Sequence, residues 1–382
     1  MRGDFPLAGI RVVDLTQYVA GPYCTQVLAD LGATVLKLER SGSGDVYRRQ
    51  GPVFKDGESA SFLTLNRGKR SVELDLGDES DRARLLGLLE QADVLVENMR
   101  PGSLARFGLD YETLSARFPR LVYCSISGFG QRGPLAQAGG YDLTIQAFSG
   151  LMAMTGHPGG PPAKIPVAAL DFGSALYGVV GILAALRQRD ATGRGQWVTT
   201  SILECALAWL SMHIVTLLLG GEEPEPLGTR SPFFAPYEAY RTADGYMVVV
   251  GTGGTDSWGD LCRALGLEAL VEDPRFATNS DRVRNAEELR HELETVLTRE
   301  PTVHWVELLE GAGIACAPVQ GLAHVLESDQ VRVLEMLQEV RHSKAGEIPS
   351  VRLPLSFSAA RATATDPPPT LGDGNSRRGF ED

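Results

Sequence analysis

The stretch Val167-Ala168-Ala169-Leu170-Asp171-Phe172-Gly173-Ser174 sets a lone carboxylate between one apolar run and a longer one, Leu176 to Leu186. A carboxylate in such a context costs free energy unless it is paired, caps the following helix, or does chemistry. A second feature is the turn Gln17-Tyr18-Val19-Ala20-Gly21-Pro22. Small residues at a helix start admit an anion or a thin, extended ligand close to the backbone, although a plain tight turn has the same composition. The turn is not GxGxxG, and no acidic residue is placed for a ribose, so a dinucleotide site is not indicated. Arg40, Lys69-Arg70, and Arg106 beyond Asn98-Met99-Arg100-Pro101-Gly102 each fall near an expected strand end. Singly, each reads as a solvated side chain; together they are what a phosphorylated, nucleotide-bearing ligand requires, because phosphate needs charge-assisted donors. The cluster Gly251-Thr252-Gly253-Gly254 is either a turn or a mobile element that shields a reactive intermediate.

Other chemistries find no footing. There is no GxSxG elbow, HExxH or Walker loop, and the six histidines are too dispersed for a metal cluster, so no metal is expected. His213, inside an apolar segment, reads as a satisfied core histidine.

The elements that must position these residues alternate. Ile10 to Leu15 reads as a strand, Tyr23 to Leu31 as a helix and Ala33 to Leu38 as a strand, which is one βαβ unit. A strand at Ser71 to Leu74, a helix at Glu79 to Gln91 and strands at Val94 to Val96 and Leu121 to Ile126 continue it, giving a mostly parallel α/β sheet. The Gly-rich stretch Ser127 to Gly140 is then a loop over the carboxyl ends of the strands, where such sheets bind ligands. Helices are expected at Leu143 to Met154, Ser174 to Arg189 and Ile202 to Leu219, with a strand at Gln196 to Thr199. After the linker-like Glu222 to Gly228, strands at 234–242 and 246–250 and helices at 258–265, 286–297 and 302–311 suggest a smaller α+β domain. Strands return at Ala315 to Val319 and Val351 to Leu355, and the segment around Pro367-Pro368-Pro369 reads as a loose tail. The expected division is 1–220 for the large domain, 221–320 for the small domain with its linkers, and 321–382 for a segment returning to the large one.

Composition sets the bounds. At 382 residues two domains are expected, and 43% hydrophobic with 22% charged residues is ordinary for a soluble globular protein. A net charge of −12 leaves no footprint for nucleic acid or an anionic membrane. The five cysteines are scattered, without a CxxC pair, which argues against a disulfide framework and fits a reducing cytoplasm. The N-terminus lacks the apolar core of a signal peptide, and Glu204 and His213 interrupt the run Ile202 to Leu219, so a buried helix is expected there rather than a membrane span.

With these residues in view, the chain resembles the family III CoA-transferases (CaiB/BaiF), in the transferase branch rather than that of the α-methylacyl-CoA racemases. The likeness runs over nearly the whole chain. It is carried by Asp14-Leu15-Thr16 with Ala20-Gly21-Pro22, by Gly32-Ala33-Thr34-Val35 leading to Lys37-Leu38-Glu39-Arg40, and by Asn66-Arg67-Gly68-Lys69-Arg70-Ser71. Val96-Glu97-Asn98, Gly139-Gly140-Tyr141-Asp142, Leu170-Asp171-Phe172-Gly173, Thr192-Gly193-Arg194-Gly195-Gln196 and Ala235-Pro236-Tyr237 follow in order. The resemblance implies an interlocked homodimer whose chains each have a Rossmann-like large domain and a small domain. It implies CoA contacts at Val19, Ala20, Arg40, Leu74, Asp75, Leu76, Gly77, Asn98, Met99, Arg100, Arg106, Gly140 and Tyr141, with Asp171 as covalent nucleophile. CoA and acyl-CoA would be substrates, with no permanently bound cofactor. The implied reaction moves CoA from a donor thioester, succinyl-CoA foremost, to a carboxylic acid, most often a dicarboxylic one. A helix terminus at Asp171 would favour its ionised form and offer N–H groups to an oxyanion. Gly253 and Gly254 would help exclude water. Arg230 is either structural or the holder of a distal carboxylate. The racemase branch carries a His where Tyr141 stands, and the formyl-CoA branch a Gln where Val19 stands. The rival readings are an acyl-CoA racemase or epimerase, a non-catalytic acyl-CoA-binding protein, and a nicotinamide oxidoreductase, whose signature is missing.

Overall fold

The computed structural model describes residues 5–251, 257–364, 366–376 and 379–380. The chain forms two compact units, one comprising Met1–Met152, Lys164–Glu223 and Arg332–Asp382, the other Ala153–Ala163 and Pro224–Val331. The second unit therefore begins at Pro224 rather than 221 and runs on to Val331 rather than 320. It also claims the excursion 153–163, whose Gly156 carbonyl accepts the Gly228 N–H at 2.7 Å.

In the first unit, six parallel strands form the central sheet: β1 (Arg11–Leu15), β2 (Thr34–Arg40), β3 (Lys69–Leu74), β4 (Val94–Glu97), β5 (Val122–Ser127) and β6 (Trp197–Ser201). Their order is β3-β2-β1-β4-β5-β6. That is the order of doubly wound nucleotide-binding sheets, whose direction reverses between β1 and β4 and leaves a crevice at the carboxyl ends of those two strands. Alternation along each strand builds two cores. Val12, Val35, Val96 and Cys124 face helices α1 (Ala20–Asp30) and α4 (Ala169–Thr192). Val13, Leu36, Val72 and Leu95 face Leu85, Leu88 and Leu89 of α2 (Glu79–Gln91).

Three expected helices differ. The helix after the Gly-rich loop, α3, spans only Asp142–Phe148, and α4 starts at Ala169, five residues earlier than expected. The segment after β6 divides at Leu210 into α5 (Ile202–Trp209) and α6 (Ser211–Leu218). Helix α4 is long and apolar enough to cross a membrane, yet half of its most apolar window is buried, as in a core helix.

The second unit holds an antiparallel sheet of β7 (Tyr237–Arg241), β8 (Tyr246–Val250) and β9 (Ala315–Pro318), with β8 central. Helices α7 (Ser257–Leu265), α8 (Ala286–Leu297) and α9 (Thr302–Gly311) pack on it through Leu261, Leu293, Leu297, Trp305 and Leu309. Back in the first unit, β10 (Leu337–His342) and β11 (Gly346–Val351) form an antiparallel hairpin in place of the single strand expected at 351–355. The tail is not loose. Ser71 donates its N–H to Asp373 Oδ1 at 2.8 Å, Gly374 donates to the Ser71 carbonyl at 2.7 Å, and Asn375 Oδ1 accepts the Glu73 N–H at 2.8 Å. The tail thus covers the otherwise free edge of β3, a device that suppresses edge-to-edge association.

Candidate active site

Asp171 is the third residue of α4 and does not cap it, since the N-cap position is Ala168, which has no side chain suited to the task. The cap comes from Asp142, at the start of α3. Its Oδ2 accepts the N–H groups of Leu170 at 2.8 Å and Asp171 at 3.2 Å, and its Oδ1 accepts from Gln146 Nε2. This corrects the expectation that the α4 terminus favours an ionised Asp171. The first-turn N–H groups of Leu170 and Asp171 are already taken by another carboxylate. Burial, and then the negative charge of Asp142, push the Asp171 carboxyl up to about 7.

Asp171 opens into a cleft of about 370 Å³ at the carboxyl ends of β1, β4 and β5, the crevice expected from the strand order. Val19, Ala20, Asn98, Met99, Arg100, Gly140 and Tyr141 line it too. Two devices hold the walls. Asn98 clamps the first turn, its Oδ1 accepting the Gln17 N–H at 3.0 Å and its Nδ2 donating to the Gln17 carbonyl at 2.7 Å. Gly128, just after β5, lies so close to Gly140 that a Cβ on either would come within 2.4 Å of the other's Cα. Only glycine permits that approach, and it fixes the segment carrying Tyr141 and Asp142.

Three tyrosines gather at the mouth. The Tyr18 ring meets Tyr47 edge-on at 5.7 Å and Tyr141 at 5.8 Å, with Tyr18 in the left-handed region at φ 68°. A non-glycine residue there is strained, and such strain collects at functional turns. Burial and then the charge of Asp171 raise the Tyr47 phenol, which puts Tyr47 within electrostatic reach of the carboxylate.

The remaining candidates lie elsewhere. Arg40 is exposed at the end of β2, level with Leu74 of β3. Leu74 to Gly77 forms the turn into α2, with Gly77 donating its N–H to Asp75 Oδ1 at 2.8 Å. Arg106 is exposed and stacks over Phe107 at 4.5 Å. None of these lines the cleft around Asp171. Lys69 leaves the phosphate-binding set altogether: it is fully buried, 3.1 Å from Asp14 Oδ2. Arg230, in the second unit, pairs with Glu287 at 2.9 Å. Gly253 and Gly254 lie outside the described residues. Among the described residues, no group of three or more His, Cys, Asp or Glu side chains is gathered as for a metal.

Sequence reasoning missed Asp142, Tyr18, Tyr47 and Gly128. Asp142 follows Tyr141 at the start of α3, and nothing in its local pattern marks it as the partner of a residue 29 positions on.

A family model described as CoA-transferase family III matches residues 7–375. The succinyl-CoA:glutarate CoA-transferase of Mus musculus is 37% identical over 367 residues, spanning 96% of this chain and 84% of the mouse protein. The acetyl-CoA:oxalate CoA-transferase of Acetobacter aceti is 39% identical over 333 residues, 87% of this chain and 85% of that protein. The crystal structure of a CAIB/BAIF family protein from Brucella suis superposes with a TM-score of 0.86 at 36% identity, covering 98% of each chain.

Proposed function

The chain belongs to CoA-transferase family III, and we propose that it transfers CoA from a donor thioester, succinyl-CoA foremost, to a dicarboxylic acid, with Asp171 as the covalent nucleophile. A carboxylate oxygen of Asp171 attacks the thioester carbonyl; the C–S bond breaks, CoA leaves as thiolate, and a mixed anhydride remains. The thiolate then attacks the aspartyl carbonyl of that anhydride, freeing the donor acid and leaving an aspartyl-CoA thioester. The acceptor carboxylate attacks this thioester, the thiolate departs again, and it closes on the acceptor's acyl carbon to regenerate the Asp171 carboxylate. No water or redox partner enters the balance.

The observation that carries this reading is an Asp171 carboxyl that faces a ligand-sized cleft and lacks the N–H partners its helix would ordinarily supply. Val19, Ala20, Asn98, Met99, Arg100, Gly140 and Tyr141 would hold the thioester arm in that cleft. Arg40, the Leu74 to Gly77 turn and Arg106 would take the nucleotide end. The relatives named for glutarate and oxalate support a dicarboxylic acceptor, and the oxalate relative gives no reason to exclude that acid. We further propose a homodimer, and a reducing compartment such as the cytoplasm for five cysteines that form no disulfide.

Trapping tests the mechanism. Incubation with succinyl-CoA followed by hydroxylamine should convert Asp171 to its hydroxamate, located by peptide mass spectrometry, and Asp171→Ala should abolish transfer while still binding CoA. An unmodified Asp171, or turnover by the Ala variant, would overturn the nucleophile.

A further inference from the structure

Asp142 is held on both oxygens. Gln146, itself buried, donates Nε2 to Oδ1 and accepts the Ile165 N–H on its Oε1 at 2.9 Å, while Oδ2 receives Leu170 and Asp171. One carboxylate thus ties the start of α3 to the start of α4 and fixes Tyr141 and Asp171 relative to each other. A carboxylate in the first turn of α3 is also favourably placed by that helix's own dipole.

For Asp171 the consequence is a shortage of stabilising partners. Around the site stand Asp142 at the start of α3 and Tyr141 just before it, Tyr18 from the turn before α1, Tyr47 from the short helical turn at Val46–Arg49, and Arg100 after β4, with Cys205 of α5 set against Gly173 and within reach of the Asp142 charge. Burial raises Tyr18, Tyr47 and Cys205, so these three are neutral near pH 7. Arg100 is the one cation among the described residues lining the cleft.

Resting on Asp171 as nucleophile, we propose that Asp142 is a positioning residue for acyl transfer: it withholds the helix N–H groups from Asp171 and places a fixed negative charge beside it. When Asp171 attacks the thioester, its charge passes to the departing sulfur and its own oxygen becomes part of a neutral acyl bond. Repulsion from Asp142 is therefore relieved along the reaction, which raises the ground state relative to the transition state.

The experiment is Asp142→Asn, whose side-chain oxygen can still accept from Leu170 and Asp171 while the charge is gone and the Nδ2 set against Gln146 Nε2 costs that one hydrogen bond. In the substrate-free protein, carbodiimide labels protonated carboxyls, and mass spectrometry reads the pH at which Asp171 is half labelled. That midpoint should fall by ~1 pH unit in the variant, and the rising limb of kcat/KM for succinyl-CoA should move with it. The plateau kcat should drop roughly three- to tenfold. Gln146→Met, which frees Oδ1 but keeps the charge on Asp142, is the second variant; it should lower both midpoint and kcat by less. A stationary midpoint in Asp142→Asn, or a fall in Gln146→Met as large as that in Asp142→Asn, overturns the proposal. Turnover surviving Asp171→Ala would remove the nucleophile and this role with it, whereas a stationary midpoint with Asp171 still essential removes only the role of Asp142.

Discussion

Asp14, Lys37 and Lys69 are fully buried beneath the crevice, and their pairing explains why Lys69 is not a ligand. Lys69 Nζ reaches Asp14 at 3.1 Å and the Pro22 carbonyl and Asn66 Oδ1 at 2.8 Å each, while Lys37 Nζ reaches the Thr16 carbonyl at 2.8 Å and Asp45 at 2.9 Å. Burial alone would raise the Asp14 carboxyl, but Lys69, Lys37 and the hydroxyls of Thr16 and Thr25 outweigh it and hold it at about 2. The network ties β1, β2 and β3 to the first turn of α1, so it sets the floor on which Val19 and Ala20 rest. Removing one partner leaves a buried charge unpaired: Lys69→Met should cost about 3–5 kcal/mol in urea unfolding, and a loss below ~1 kcal/mol would show that Asp14 finds another partner. Because the folded-state value of Asp14 lies below its ordinary 3.8, its stabilising contribution is present above that pH and is lost as the pH falls toward 2. In the sequence, Lys69 and Arg70 look alike. Strand alternation turns Lys69 inward and leaves Arg70 half-exposed, a distinction that needs the register of β3. Asp171, by contrast, stood out by its apolar neighbours, although its neighbour in charge, Asp142, lies 29 residues away and no local pattern announces it.

At the scale of elements, the alternating strands and helices were legible because each strand is a short apolar run and each helix shows one apolar face. The failures have physical causes. The start of α4 was placed too late because its cap is supplied by a distant side chain rather than by a Ser, Thr or Asn at 168. The break at Leu210 carries no Pro or Gly. The hairpin of β10 and β11 is half polar and contains Pro349, so it does not read as strand. The loop from Ser127 to Gly140 is expected over the carboxyl ends of the strands, and its two ends line the cleft there, but the backbone contact between Gly128 and Gly140 that shapes it is a tertiary fact. Gly128→Ala would drive a methyl into the Gly140 backbone, which cannot swing aside as a side chain does. We expect a loss of about 1–3 kcal/mol, together with a fall in kcat larger than stability alone explains, because Tyr141 and Asp142 move with Gly140. Gly87→Ala, in α2 with open space around its Cα, is the control and should raise stability by about 0.5–1 kcal/mol. Equal effects on Tm and kcat from both substitutions would show that the contact does not position the site.

The large unit as a whole presents an apolar face that one chain leaves uncovered. Helix α6 has no buried residue, and Met212, Val215, Leu218 and Leu219 are more than half exposed, the last two at 78% and 84%. Leu176, Tyr177 and Val180 of α4 and Leu207 and Trp209 of α5 are exposed as well. Exposed apolar side chains in such number on three successive helices mark an interaction site. An anionic membrane is a poor occupant for a chain of net charge −12, since the field of the protein repels the surface before the apolar contact forms. A second copy has no such penalty at contact, where apolar faces of both chains are removed from water together, and it agrees with the interlocked pair that the resemblance implies. Sedimentation equilibrium at micromolar concentration should therefore give twice the 41.1 kDa of one chain. Val215→Glu with Leu218→Glu, which sets two charges on the face without touching a buried residue, should shift the mass toward the monomer and lower transfer in parallel if the site is completed in the dimer. A wild-type monomer, or a double variant that stays dimeric and fully active, would place the interface elsewhere, and binding to neutral vesicles would identify lipid as the occupant instead.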